Sequence, residues 1–378
     1  MKTAVVHDYF TQMGGAERVA EELCRIFPSA TLVTLVASQS IVPDTLKTFP
    51  LRTSWMQSLP GMEKYYRLFF MLYPFAATSL DLSEYDLIVS SSSSYAKGIR
   101  AGNDTMHVCY CHTPTRWVWE FDSYSQREHM SPTLRTVTAN IVQLMRDWDT
   151  YAAQQPDHFV ANSMSTAKRI LQVYGRNAEV IHPPINTNRF GRATASSDGY
   201  YLILSRLVSY KRLDLAIEAC SRLNRKLMIV GEGPCKKGLM KGAAPCITFC
   251  GRLPDSEVNK MISASRALIF PGEEDFGMTP LEVAAAGRPT IAYRAGGALE
   301  TIIDGLTGIF FDQQTPEHLI SAIEAFERQS FSPTVLRQHA EKFSTNVFRD
   351  KMTKFLARVG APTQSHPQNI GSCITGSY

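Results

Sequence analysis

Two acids, Glu274 and Glu282, bracket a turn that leads from an apolar run into a helix-forming stretch: Glu274-Asp275-Phe276-Gly277-Met278-Thr279-Pro280-Leu281-Glu282. Pro271-Gly272 closes the strand before it, Gly277 bends the chain, and a proline near a first turn marks a helix start at Pro280. Glu274 then lies in the loop and Glu282 in the first turns of the helix. Both could accept hydrogen bonds from hydroxyl groups. The N–H groups around Gly277 and Met278 are free for an anion or a sugar oxygen. Acids near a helix N-terminus also complement its dipole without any ligand, so the pair alone leaves both readings open.

A second set is cationic. Ser205-Arg206-Leu207-Val208-Ser209-Tyr210-Lys211 follows another apolar run. Arg206 offers a planar fork and Lys211 a mobile point charge, a combination able to neutralise a diphosphate. Solvated surface cations are the bland alternative. Gly14-Gly15 precedes a helix and could bring backbone N–H groups to a phosphate, or merely turn the chain. Gly296-Gly297-Ala298-Leu299-Glu300 is a second glycine turn of the same ambiguity.

The elements that must position these groups alternate. Ala4–His7, Thr31–Val36, Leu87–Ser90, Thr105–Cys111, His158–Ala161 and Glu179–His182 read as strands, with helices over Ala16–Phe27 and Ser131–Gln155. Pro183-Pro184 and the polar stretch Gly191–Gly199 break the pattern and mark an interdomain linker. A second series follows: strands at Tyr201–Leu204, Lys226–Val230, Ile247–Cys250, Ala267–Phe270 and Thr290–Tyr293, with helices at Leu213–Cys220, Ser256–Ala264, Pro280–Ala286, Pro316–Arg328 and Thr345–Val359. This alternation predicts parallel sheets in both halves, and ligands of such sheets sit beyond the carboxyl ends of the strands. The expected division is 1–190, 191–345, a helix over 346–360 packing back on the first half, and a disordered tail over 361–378.

Bulk composition sets the outer limits. A chain of 378 residues suits two domains. A formal net charge of +4 does not suggest a nucleic-acid partner. Eight cysteines without zinc-ligand spacing suit a reduced, cytoplasmic protein. The N-terminal stretch is too short for a signal peptide, and no run approaches the ~20 apolar residues that cross a bilayer. Met62–Ala77 is aromatic, apolar and partly basic. It could rest at a membrane interface, with Lys64 and Arg67 against lipid phosphates, or pack internally as a helix pair.

Taken in order, the segments "GGAERV", "CHTP", "SRLVSYKRLDLAIEA", "VGEGP", "FCGRL", "EEDFGMTPLEVAAAGRPTIAY" and "GGALETI" resemble the family 4 retaining glycosyltransferases of the GT-B fold. The resemblance runs from the first strand to about Val359. It implies an α/β fold of two Rossmann-like, doubly wound parallel-sheet domains facing a central cleft. It also implies roles. Gly15 matches the glycine whose N–H approaches the donor phosphate, and Arg206 and Lys211 the pair that neutralises the diphosphate. Ser205 lies beside the phosphates. Glu282 matches the acid that grips the ribose, and Glu274 the acid beside the transferred sugar. Phe276, Gly277 and Met278 supply nearby N–H groups, with Thr279 in the same run. Arg252-Leu253 falls where related enzymes hold the base, and His112 matches a histidine near the 6-hydroxyl of the sugar. A lone histidine at a strand end is otherwise a satisfied structural group.

The resemblance further implies charge stabilisation at the leaving diphosphate by Arg206, Lys211, the Gly15 N–H and a helix N-terminus, with no metal and no cofactor. No nucleophilic carboxylate is then required. "YCHTPTRWVW" and "TSWMQSLPGMEKYYRLFFMLYPFA" look like a bacterial subgroup that builds O-antigen, capsule and exopolysaccharide, where mannose from GDP-mannose is a known donor. The implied acceptor is a polyprenyl-diphosphate-linked glycan at the inner face of the plasma membrane. Three readings compete: a UDP-sugar-dependent enzyme of the same fold, a nucleotide-sugar epimerase and a catalytically silent binding protein. A dinucleotide oxidoreductase would need G-x-G-x-x-G after the first strand, where this chain has Gly14-Gly15 only.

Overall fold

The computed structural model describes residues 1–121, 132–190 and 199–361, with 132–137 as backbone only. The first domain holds β1 (Thr3–Phe10), β2 (Thr31–Ala37), β3 (Leu51–Thr53), β4 (Leu87–Ser92), β5 (Met106–Cys111), β6 (His158–Ala161) and β7 (Ala178–Val180). They form one sheet in the order β3-β2-β1-β4-β5-β6-β7. The second domain holds β8 (Tyr201–Leu204), β9 (Leu227–Val230), β10 (Ile247–Gly251), β11 (Ala267–Phe270), β12 (Thr290–Tyr293) and β13 (Gly308–Phe311), in the order β10-β9-β8-β11-β12-β13. The described pairings are parallel. In each sheet the chain reverses direction of growth beside the first strand, so β1 lies between β2 and β4 and β8 between β9 and β11. That reversal opens a crevice at the strands' carboxyl ends.

Parallel strands need both faces covered. The helices of the first domain are α1 (Gly15–Ile26), α2 (Met62–Tyr65), α3 (Tyr73–Ser79), α4 (Arg116–Trp119), α5 (Pro132–Ala152) and α6 (Met164–Tyr174). Val5 and Phe10 of β1 pack on Val19 and Leu23 of α1, while Ala4 and Val6 point to Val33 and Tyr73 on the opposite face. The remaining helices are α7 (Leu213–Arg222), α8 (Lys236–Met240), α9 (Asp255–Ala264), α10 (Met278–Ala285), α11 (Ala298–Thr301), α12 (Pro316–Glu327), α13 (Pro333–Glu341) and α14 (Thr345–Arg358). The last of these crosses back. Phe348, Met352, Phe355 and Leu356 are buried in the core built around Val5, Leu23 and Val108.

Several boundaries differ from the sequence reading. β1 continues to Phe10 instead of ending at His7, which brings Asp8 into the strand. Its carboxylate accepts the backbone N–H groups of Ser93 (2.6 Å), Ser94 (3.0 Å), Tyr95 (2.8 Å) and Ala96 (2.7 Å), which ties the serine-rich loop after β4 to β1. The helix expected from Pro280 starts at Met278. Its first N–H groups have no internal acceptor, so a proline fits at its third residue without losing a bond. The strand expected over Glu179–His182 is Ala178–Val180, which leaves His182 to the domain junction. Residues 191–198 of the expected linker and 362–378 of the expected tail lie outside the described residues.

The stretch Met62–Ala77 has two faces. Met62, Tyr73, Ala76 and Ala77 are buried against the first sheet, as an internal pair would be. Leu68 (75%) and Phe75 (67%) are exposed, as are Tyr65 and Met71. Among the described residues no helix is long and apolar enough to cross a membrane. Cys24, Cys109, Cys111, Cys220, Cys246 and Cys250 are in no disulfide, and Cys373 lies outside the described residues.

Candidate active site

The carboxyl ends of β8 and β11 bring the two chemically suggestive segments together. Lys211 forms an ion pair with Glu274, and both side chains are largely withdrawn from solvent. Ser205, Lys211, Pro271, Gly272 and Glu274 line one small recess. Arg206 stands exposed at its rim, donating to the Tyr210 hydroxyl at 3.2 Å. Arg252 is exposed just past β10, and Leu253 packs partly against the second domain's core.

Gly296-Gly297 supports this loop, which resolves the ambiguity of that turn. Gly297 N–H donates to the Glu274 carbonyl at 2.9 Å. A Cβ at Gly297 would run into the Phe276 backbone, and Gly296 sits at φ +56° against the Glu274 carbonyl. Gly297→Ala should therefore displace the segment from Glu274 to Phe276. We expect at least a tenfold loss of activity with a lowered melting temperature, measured by turnover and thermal unfolding, since backbone overlap costs about 1–3 kcal/mol.

The first domain faces the recess with the N-terminus of α1. A Cβ on Gly15 would lie 2.6 Å from the Met278 Sδ, so the starts of α1 and α10 confront each other across the cleft. Gly277, at φ +83°, caps α10, and Phe276 is buried with Ile185, Leu281 and Phe343 at the junction. Thr279 is half-buried in the first turn of α10. Each helix start carries about half a positive charge. Two such starts with Lys211 and Arg206 nearby form an environment for an anion of more than one charge.

Ion pairs span the same cleft. Arg18, one turn into α1, pairs with Glu282. Arg116 (2.9 Å) and Arg169 (2.5 Å) both reach the Asp275 Oδ1. Glu300 accepts from His182 Nε2 at 2.9 Å and from the Met164 N–H at 3.0 Å, at the start of α6. Sequence reasoning missed Arg18, Arg116, Arg169, Asp275 and Glu300 as site neighbours. Arg18 carried a signal, since it lies three residues after Gly15 on a helix and so shares its face. The others are brought together only by the approach of two domains.

His112 lies at the carboxyl end of β5, 8% exposed. Burial first, and then the neighbouring His7, push its imidazole down to about 3. Burial likewise takes His107, whose Nε2 lies 2.8 Å from the Ser90 Oγ, down to about 4. Both rings fold neutral but bind protons in the unfolded chain near 6.5. The unfolded state thus takes up more protons below that pH, and stability falls as pH drops from about 6.5 towards 4. Each ring contributes about 1.4 kcal/mol per pH unit in that window. Urea melts at stepped pH should show this slope, and His107→Gln should reduce it.

Lys97 and Asp149 form a buried ion pair at 2.6 Å. Thr115 (2.7 Å), Trp119 (2.7 Å) and Tyr174 (2.6 Å) also donate to the Asp149 carboxylate. The network fixes α4 and the His112–Thr115 turn to α5 and α6. Among the described residues no cluster of three His, Cys, Asp or Glu side chains is placed to hold a metal ion.

Comparison with known proteins agrees with this architecture. Residues 13–189 match the family model Glycosyltransferase Family 4, and residues 184–346 match Glycosyl transferases group 1. The chain is 26% identical over 293 residues to the human alpha-1,3/1,6-mannosyltransferase ALG2, covering 66% of this chain and 67% of that protein. It is 29% identical over 192 residues to the GDP-mannose-dependent alpha-(1-6)-phosphatidylinositol monomannoside mannosyltransferase of Mycolicibacterium smegmatis, covering 43% of this chain and 50% of that one. In structure it resembles Anabaena HepE, solved with UDP and glucose, with a TM-score of 0.70 at 17% identity over 94% of this chain and 100% of that one. A sucrose-phosphate synthase from Thermosynechococcus elongatus gives 0.72 at 16% identity over 96% and 100%. With both halves matched in sequence and the two facing sheets matched in fold, the chain belongs to the family 4 glycosyltransferases of the GT-B fold.

Proposed function

We propose that this glycosyltransferase moves mannose from GDP-mannose, with retention of configuration and without a metal, to a lipid-linked oligosaccharide in bacterial surface-polysaccharide synthesis. The observation that carries the reading is the meeting of Lys211, Glu274 and Arg206 with the opposed starts of α1 and α10. In this reading the donor diphosphate takes Lys211 from Glu274 and lies against the Gly15 N–H. Charge growing on the leaving phosphate is met by fixed cations and dipoles, the part a divalent metal takes in other transferases. Glu274, released, accepts from hydroxyls of the sugar. Glu282 exchanges Arg18 for the ribose, and Arg252-Leu253 borders the base.

The mannosyltransferases of human and mycobacterial origin support mannose, and the GDP-mannose dependence of the latter supports GDP. The exposed face of Met62–Ala77, where Leu68 and Phe75 stand beside Lys64 and Arg67, suits contact with an anionic bilayer carrying the acceptor. That contact would hold the enzyme at the inner face of the membrane. Proton NMR of the product made from GDP-mannose in EDTA tests the chemistry. An α-linked mannoside formed at undiminished rate is expected. A β-linked product, or a requirement for added divalent metal, would contradict retention or metal independence respectively.

A further inference from the structure

Three buried side chains beneath the cleft form a line that ends at His112. The parallel register of β1 and β4 sets His7 beside Ser91. His7 Nδ1 lies 3.2 Å from the Ser91 carbonyl oxygen and 3.1 Å from its Oγ. A carbonyl oxygen can only accept, so Nδ1 of His7 carries a hydrogen and cannot accept one from Ser91. The Ser91 hydroxyl, buried, then has one described acceptor for its own hydrogen: His112 Nε2, at 2.8 Å. A ring nitrogen that accepts carries no proton. The neutral state of His112 follows from its burial, so its single proton sits on Nδ1, which has no described hydrogen-bond partner.

We propose that Ser91, oriented by His7, is a positioning residue that fixes His112 as the Nδ1–H tautomer, so that His112 donates to an oxygen of the transferred sugar and does not accept from one. The proposal rests on the reading that His112 faces the donor sugar. It deepens that reading by giving the contact a direction. A site built to donate favours a sugar oxygen that carries a lone pair at that position and gains nothing from a deoxy analogue. Glu17, whose Oε1 lies 3.9 Å from His7 Nε2, stands at the far end of the line.

The test uses the full chain labelled with [15N]histidine. Long-range 15N–1H correlation should show His112, assigned by its loss in His112→Gln, with a protonated Nδ1 and an unprotonated Nε2. Ser91→Ala should move the proton partly or wholly to Nε2. It should lower kcat about tenfold, the loss of roughly one hydrogen bond, with the Kd for the nucleoside diphosphate unchanged. Ser91→Thr, which keeps the hydroxyl, should restore both tautomer and rate. A wild-type His112 protonated on Nε2 overturns the proposal, as does Ser91→Ala with an unmoved tautomer. Should the tautomer respond as stated while GDP and UDP both fail to bind, the reading of the cleft fails and the tautomer assignment stands.

Discussion

Glu274→Ala abolishes detectable sugar transfer, with a fall of at least about 10²–10³ in kcat, while the melting temperature stays within a few degrees of wild type. The fall is the size expected when a group aimed at the reacting sugar is removed. The fold is spared because Glu274 is a loop residue, partly exposed, whose described side-chain partner is Lys211. Lys211→Ala has the complementary effect. It removes a charge-assisted contact to the diphosphate, worth about 1.5–3 kcal/mol, and weakens nucleotide binding by about 10–100-fold. The two variants separate the roles. Glu274→Ala retains the nucleotide, or binds it more tightly because Lys211 is no longer neutralised, and Lys211→Ala does not. Isothermal titration alongside turnover distinguishes them. Equal loss of nucleotide affinity in both would mean that the ion pair acts only as a scaffold.

Asp149→Ala has the largest effect on stability. Its carboxylate is fully buried and receives Lys97, Thr115, Trp119 and Tyr174. Removal leaves a buried ammonium without its countercharge and three donors without their acceptor. Breaking such a pair costs about 3–5 kcal/mol, a large fraction of the 5–15 kcal/mol that holds a typical domain. Chemical denaturation should show the loss in the transition of the first domain. The double variant Lys97→Met with Asp149→Asn should recover part of it, because neither charge then remains buried alone. If Asp149→Ala and the double variant unfold at the same denaturant concentration, the isolated charge is not the dominant cost. Activity should fall as well in Asp149→Ala, since the network carries the His112–Thr115 turn.

The fold was legible because parallel strands buried on both faces are continuous apolar runs, and those of β1, β2, β8, β9, β11 and β12 are unmistakable in Thr3–Phe10, Thr31–Ala37 and their counterparts. β3, β13, α6 and α13 were not. Leu51–Thr53 carries a single apolar residue, and Gly308–Phe311 opens on a glycine, a residue depleted in strands, so neither shows a clear apolar run. Within the second domain, Ser205, Arg206, Lys211, Glu274 and Gly277 could be placed together from sequence because adjacent strand ends carry them. Arg18 against Glu282, and Arg116 and Arg169 against Asp275, could not, because each pair depends on how two separately folded sheets face one another. The Asp8 clamp was missed for a different reason. A carboxylate that accepts four backbone N–H groups leaves no partner side chain to be read in the sequence.

The central claim is that this cleft binds a nucleoside-diphosphate sugar without a metal, and thermal unfolding in EDTA tests it most directly. The purified protein would be melted with GDP, UDP, ADP, NAD and the sugar conjugates of the diphosphates, since a ligand that binds the native state alone raises the melting temperature. A rise with GDP and GDP-mannose that is lost in Lys211→Ala is the predicted result. A rise with UDP in their place would keep the site and replace the donor. A rise with NAD alone, or no rise with any diphosphate until a divalent metal is added, would contradict the account.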